Sequence, residues 1–390
     1  MEKETLKPVK SILFILYTIG FIFAFSSALP AYIGSSFLSV ITGEKLLSFV
    51  YVACAFVTII SFIFTPRLLK RYGNYKVTLL LLGLDAFALF GLSLFHNPYF
   101  ILFCFVLMYV ASTVVGFCFD LFIEHNSSNK KTGEIRSIAL TCVNLAWLVS
   151  PWLSGMIIGQ DAYWKAYLAA AFVLLPTIYI VFNNLKDFVD PQYQEIKIGE
   201  AIQDVFQNKN ITGIFVLNFL LQFFFAIMVI YIPIYLYKYI GFDWKTIGLI
   251  FSIMLVPFVL VQVPAGELAD KRYGEKEMLT VSFIIMAISV ALIPLIDGTS
   301  FVIWAILLFM TRVGAAIAQV MCDVYLFKSV GDANLGVINL YRAMSPVASI
   351  FAPLVAIVVF MYFPFENLFY LLALLMLCGL NFSLRLTDTN

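Results

Sequence analysis

The sequence predicts an all-α membrane protein of twelve transmembrane helices in two parallel six-helix repeats, and three observations carry that prediction. The first is composition: 62% of the 390 residues are hydrophobic and only 12% are charged, a balance no soluble globular domain of this length shows. The second is a series of twelve apolar runs, each close to the roughly 20 residues needed to cross a hydrocarbon core. The third is a repeat. The tetrapeptide KRYG stands at 70–73 and again at 271–274, each time leaving one apolar run and entering the next. Two copies of one helical bundle would read this way.

Helix 1 is expected at 11–36. The charged start, MEKETLKPVK, suits a secretion signal, but the run of about 26 mostly apolar residues behind it is too long for one, so it reads as a retained span. Helices 2 to 6 follow at 45–66, 76–95, 99–122, 135–158 and 163–183. The longest connection, Asn184 to Asn210, separates the halves. Within it Ile198, Ile202, Val205 and Phe206 share one helical face opposite Glu200, Asp204 and Gln207, the pattern of a helix lying on the cytoplasmic membrane surface. Helices 7 to 12 are expected at 211–239, 245–266, 277–296, 300–328, 335–362 and 366–386. The expected domains are therefore 1–183, a linker at 184–210, and 211–390.

Charge gives the orientation. Of 24 Lys and Arg, 18 lie at the termini and the even-numbered connections, four (Lys45, Lys165, Lys238, Lys245) in the odd-numbered ones, and two (Arg312, Arg342) inside spans. Positive residues mark the cytoplasmic side, so both termini and the central linker are expected inside the cell, in its plasma (inner) membrane. Six spans per half make the repeat parallel. Two more anchors support it: PAYI from Pro30, containing Tyr32, matches PIYL from Pro233, containing Tyr235, and Phe119-Asp120 closing helix 4 matches Cys322-Asp323 closing helix 10. All six cysteines fall in apolar runs without metal-type spacing and read as small core residues. No cofactor and no metal are expected.

Twelve spans in parallel halves, a basic turn after helices 2 and 8, and an acid closing helices 4 and 10 resemble the major facilitator superfamily over essentially the whole chain. Gly266-Glu267-Leu268-Ala269-Asp270-Lys271 matches that family's glycine, leucine, aspartate, basic pattern, and Arg272-Tyr273-Gly274 carries one residue more than the commonest form. In the first copy Thr65 and Leu69 stand where the glycine and aspartate would be. Thr311-Arg312-Val313-Gly314 resembles the family's Arg-containing membrane motif, normally found in helix 4, where Tyr109 stands here. Ser150-Pro151-Trp152-Leu153-Ser154-Gly155 in helix 5 resembles the proline-glycine motif of the family's drug/proton antiporters, with Ser150 in place of its first glycine. The resemblance implies a secondary transporter working by alternating access, its central cavity lined by helices 1, 4, 7 and 10.

Two groups of candidate residues follow. At the cytoplasmic turn, Asp270 can accept hydrogen bonds from a neighbouring helix N-terminus, while Lys271 and Arg272 can reach Asp323 or Asp120. With Gly266, Lys70 and Arg71 they form the expected gate; the alternative is that the basic residues only hold the loop inside. The second group is buried and polar, and each such residue costs several kcal/mol in hydrocarbon unless it is paired or faces water. Arg312, Gln319 and Asp323 make a stripe on helix 10 by i, i+7, i+11 spacing. Asn218 and Gln222 on helix 7, Gln262 on helix 8, Asn144 on helix 5, Tyr32 and Tyr235 complete the expected substrate and coupling-ion site. An interhelical hydrogen bond would equally explain a single amide such as Asn144. Helix 11 adds Tyr341 and Arg342. Arg312 keeps its proton at any accessible pH, so it can hold an anion but cannot carry protons. Asp323 is the acid expected to sense which side is open. Asp85, mid-helix 3, reads as a buried structural acid, with a proton carrier as the alternative.

Other classes fit poorly. The two histidines, His96 and His125, lie near span ends without HExxH or GxSxG, which argues against an intramembrane enzyme. Short connections argue against a filter loop, and no phosphate-binding loop is present for ATP. The expected function is secondary active transport of a small organic solute by proton-coupled export. The alternatives are a passive facilitator, a proton-coupled importer of a sugar or other metabolite, and a lipid or lysolipid flippase. The expected partners are a small-molecule substrate, the proton and the lipid bilayer; the chain is expected to act as a monomer and to bind no nucleic acid.

Overall fold

The computed structural model describes residues 9–126, 132–159, 161–186, 188, 190, 198–269, 273–330 and 335–387. Among these residues the chain is helical, with no strand. Among the described residues ten helices are long and apolar enough to cross a membrane: Ile12–Gly43, Leu46–Tyr72, Asn74–Leu94, Pro98–His125, Ile138–Ile158, Trp164–Asn184, Lys209–Ile240, Gly274–Leu295, Phe301–Val330 and Gly336–Tyr362. Two shorter apolar helices, Trp244–Leu260 and Asn367–Ser383, fall where helices 8 and 12 are expected. The sequence reading of twelve spans in an all-α fold therefore holds.

The prolines decide where these helices deviate, because each removes an N–H donor and crowds the carbonyl four residues back. Behind Pro30 helix 1 pauses at Tyr32 and Ile33 before resuming at Gly34. Behind Pro233 helix 7 widens into a π-helical turn, Tyr235–Ile240. The PAYI and PIYL repeats thus both mark a departure from regular helix. Helix 8 breaks at Val256 before Pro257, and again at Val261. Helix 11 divides at Ala343 into Leu335–Arg342 and Met344–Tyr362, where Pro346 can give no N–H to Arg342 O.

The chain forms two compact units, one of Met1–Ile33 with Val57–Gln194, the other of Gly34–Phe56 with Glu195–Asn390. In the first, small residues let helices approach and hydroxyls join them. Ser150 Oγ and Ser154 Oγ donate to Phe25 O and Leu29 O, at 3.4 and 2.5 Å, and Ser26 Oγ donates to Ala170 O at 2.8 Å. The SPWLSG segment is thus a clamp of helix 5 on helix 1, which a glycine at 150 could not make. In the second unit, Ser48 Oγ and Tyr231 OH share a 2.7 Å hydrogen bond, which ties residues 34–56 to helix 7.

The glycine that closes each KRYG copy has a positive φ. Gly73 has φ 82 and Gly274 φ 77, a left-handed turn that favours glycine. The residue after each is buried, Asn74 at 0% exposure and Glu275 at 3%. In the linker, Ile198–Gln207 is helical as expected. Its apolar face divides: Val205 is 5% exposed, while Phe206 is 73% exposed.

Candidate functional site

Helices 7, 10 and 11 of the second unit carry a chain of polar contacts. Helix 10 can sit close to helix 9 because residue 314 is glycine; a Cβ there would lie 2.7 Å from Ser282 O. Two residues before it, Arg312 is 1% exposed, and its guanidinium lies 5.3 Å from the Phe224 ring centroid and 5.4 Å from that of Phe225. A desolvated cation over an aromatic face gains about 2 kcal/mol or more, so the two rings of helix 7 offset part of the cost of burying that charge.

Toward the end of helix 7 that the charge rule makes cytoplasmic, Gln222 Nε2 donates to Asn218 Oδ1 at 3.3 Å. Asn218 Nδ2 in turn donates to Tyr341 O at 3.2 Å. That contact joins helix 7 to the first half of helix 11, where the chain is about to break. The hydroxyl of the same tyrosine donates to Asp323 Oδ1 at 2.9 Å, and its ring meets Phe215 edge-on at 5.7 Å. One residue, Tyr341, therefore joins helices 7, 10 and 11. Asp323 stands eleven positions after Arg312, about 16 Å along the helix axis.

The structure brings Asn218, Gln222 and Asp323 into this chain and packs Arg312 against helix 7. Gln319 is half-buried on helix 10, and Gln262 is half-buried where the last piece of helix 8 begins. Tyr235 belongs to an aromatic cluster with Trp304, Phe365 and Phe369 at 5.1 to 6.0 Å. In the first unit Tyr32 meets Trp147 edge-on at 6.3 Å, and Asn144 is half-buried on helix 5. Asp270, Lys271 and Arg272 lie outside the described residues. Of the remaining gate candidates, Lys70, Arg71 and Asp120 are exposed, and a Cβ added at Gly266 would lie 4.0 Å from Val320 Cγ1. Leu69, where the family pattern has aspartate, is 2% exposed and packs in an apolar cluster with Val77, Val114 and Cys118. An aspartate there would bury a charge among alkyl groups.

Sequence reasoning missed three arrangements. Phe224 and Phe225 flanking Arg312 gave no signal among 40 phenylalanines. Lys328 Nζ pairs with Glu275 Oε1 at 2.6 Å, fastening the start of helix 9 to the end of helix 10. Asp190 Oδ1 accepts from Asn74 N at 2.7 Å, so a carboxylate from beyond helix 6 sits on the N-terminus of helix 3, where the helix dipole favours it. For both contacts the available signal was the same: each involves the residue directly after a KRYG turn, Asn74 in one and Glu275 in the other.

Comparison with known proteins agrees with this architecture. Residues 214–389 match the sequence model of the Major Facilitator Superfamily. The crystal structure of a D-xylose-proton symporter superposes with a TM-score of 0.77 at 14% identity, over 98% of this chain and 99% of that one. A POT family transporter in complex with 5-aminolevulinic acid gives 0.77 at 14%, over 95% and 94%. The nucleoside transporter NupG gives 0.72 at 15%, over 95% and 98%. No curated protein sequence matches. The C-terminal part of the chain is thus similar in sequence to the Major Facilitator Superfamily, and the fold of these solved structures extends along nearly the whole chain.

Proposed function

We propose that this protein is a major facilitator superfamily transporter that moves a small organic solute by alternating access, coupled to protons and in the direction of export. The observation that carries the reading is the run of polar groups along helices 7, 10 and 11, with a buried cation at one end and a carboxylate at the other. Buried polar residues in a membrane bundle are expensive and mark solute or proton paths. In this reading Arg312 holds an anionic group of the substrate, with Gln222, Asn218, Gln319, Gln262, Asn144, Tyr32 and Tyr235 as further contacts. Asp323 exchanges the proton. Asp270, Lys271 and Arg272, with Gly266, Asp120, Lys70 and Arg71, form the cytoplasmic gate. Export rests on the helix 5 motif and the aromatic-rich spans. One second reading, proton-coupled import of a sugar or other metabolite, is kept because a D-xylose-proton symporter shares the fold.

The test begins with the purified full-length protein in a thermal-stability screen against a compound library. A ligand that binds only the native state raises stability by RT ln(1 + [L]/Kd). Stabilising compounds are then assayed for uptake into and release from proteoliposomes across a pH gradient. Anionic or amphipathic hits that move only with the gradient, and whose gradient dependence disappears in Asp323→Asn, support the reading. Hits that Arg312→Ala and Asp323→Asn bind and move as the wild type does would overturn it. We further propose six-helix domains at 1–183 and 211–390, a monomeric state, and cytoplasmic termini and linker in the plasma membrane. Impermeant thiol reagent should leave single cysteines at Asn129, Lys197 and Asp388 unlabelled in intact cells; labelling there would reverse the topology.

A further inference from the structure

Asp85 stands mid-way along helix 3, 2% exposed, and its Oδ1 makes no hydrogen bond among the described residues. Thr177 on helix 6 is 0% exposed, and its Oγ1 is equally without a partner among them. Two contacts fix how these helices run past each other. Tyr75 OH donates to Phe182 O at 3.3 Å, and the Phe90 and Phe172 rings meet edge-on at 5.8 Å. The helices are therefore antiparallel, and Asp85, two-thirds of the way from Tyr75 to Phe90, lies level with the turn from Leu174 to Thr177. That turn contains Pro176, which has no N–H to give to the Phe172 carbonyl. One turn of helix 6 thus offers a hydroxyl and a carbonyl, both short of partners, at the depth of a carboxyl in the same condition.

Among the described residues, the helices packed on helix 3 bring no counter-charge to the level of Asp85. Helices 4 and 6 pack on helix 3; helix 4 has no charged residue between Pro98 and Phe119, and helix 6 has none between Ala166 and Asn184. The titratable groups they carry over those stretches are Tyr99, Cys104, Tyr109 and Cys118 on helix 4, and Tyr167 and Tyr179 on helix 6. An ionised carboxylate without a partner is the most expensive group to bury, whereas a neutral carboxylic acid sheds the charge and gains an O–H to donate. We propose that Asp85 binds a proton at the helix 3–helix 6 interface, with Thr177 beside it, as a protonation site in the first unit separate from Asp323. The proton comes from water and converts the carboxylate to the neutral acid; no other group changes. This inference does not depend on the transport reading.

The experiment is infrared difference spectroscopy on the full-length protein in lipid nanodiscs at neutral pH, wild type minus Asp85→Asn. The expected result is a carbonyl stretch of a protonated carboxylic acid that is present in the wild type and missing in the variant, and that shifts in Thr177→Val. Isotopic labelling of aspartate carboxyls in the wild type moves the same band and needs no substitution at Asp85, so poor folding of the variant leaves the test intact. Asp323→Asn keeps the band. A wild type with no isotope-sensitive protonated-carboxyl band at neutral pH overturns the proposal, and so does a band that survives in a folded Asp85→Asn.

Discussion

Replacing Tyr341 by phenylalanine removes one oxygen from the most connected residue of the site. The ring contact with Phe215 at 5.7 Å and the backbone carbonyl that accepts from Asn218 at 3.2 Å both remain. What is lost is the 2.9 Å hydrogen bond to Asp323 Oδ1. A hydrogen bond to a charged group contributes about 1.5–3 kcal/mol net, which at 1.36 kcal/mol per decade is a factor of roughly 10 to 150. The segment Leu335–Arg342 is set off from the rest of helix 11 by the turn at Ala343, so it can open separately from Met344–Tyr362. Local opening of this segment should therefore rise by that factor in Tyr341→Phe, read as faster amide hydrogen exchange in peptides covering 335–342. Tyr362→Phe is the control, since Tyr362 is 73% exposed. Unchanged exchange at 335–342, or an equal increase in the control, would refute the claim that the hydroxyl holds the half-helix in place.

Three further outcomes are expected. Lys328→Met removes the ammonium paired at 2.6 Å with the Glu275 carboxylate, which is 4% exposed at its side chain, and should cost about 1–3 kcal/mol; adding Glu275→Gln should recover part of the loss, and strict additivity in the thermal midpoints would show the pair is uncoupled. Gly73→Ala should destabilise more than Gly43→Ala: both have positive φ, worth about 1–2 kcal/mol, but only at Gly73 would a Cβ meet Asp190 Oδ2, at 2.5 Å. Arg312→Lys should keep the buried charge but weaken binding of anionic compounds in the thermal screen, because an ammonium lacks the planar fork, and Arg312→Ala should abolish it; equal affinity in all three proteins would remove Arg312 from the site.

The twelve spans were legible because the bilayer imposes a local rule. Hydrocarbon offers no hydrogen bonds, so any apolar run of about 20 residues must satisfy its own backbone as a helix, and length alone locates it. The KRYG repeat was legible for a similar reason: a glycine in a left-handed turn does the same work at 73 and at 274. Arg312, Asn218, Gln222 and Asp323 were conspicuous as polar residues in apolar surroundings. Their partners were not. Asn218 reaches a carbonyl 123 residues away, Lys328 a carboxylate 53 residues away, and Asn74 an acid 116 residues away. The expected partners of Asp323 were the basic turn residues; among the described contacts it accepts instead from Tyr341, which the sequence showed only as one polar residue of helix 11. SPWLSG read as a transport motif, and in the fold its hydroxyls fasten helix 5 to helix 1. The sequence by itself determined which segments cross the membrane and which residues would need partners there, since both follow from the cost of a group in hydrocarbon. Which partner each found was decided only by the tertiary structure, because that depends on how far one helix slides and turns against another, and a shift of one residue turns a side chain about 100° around its helix.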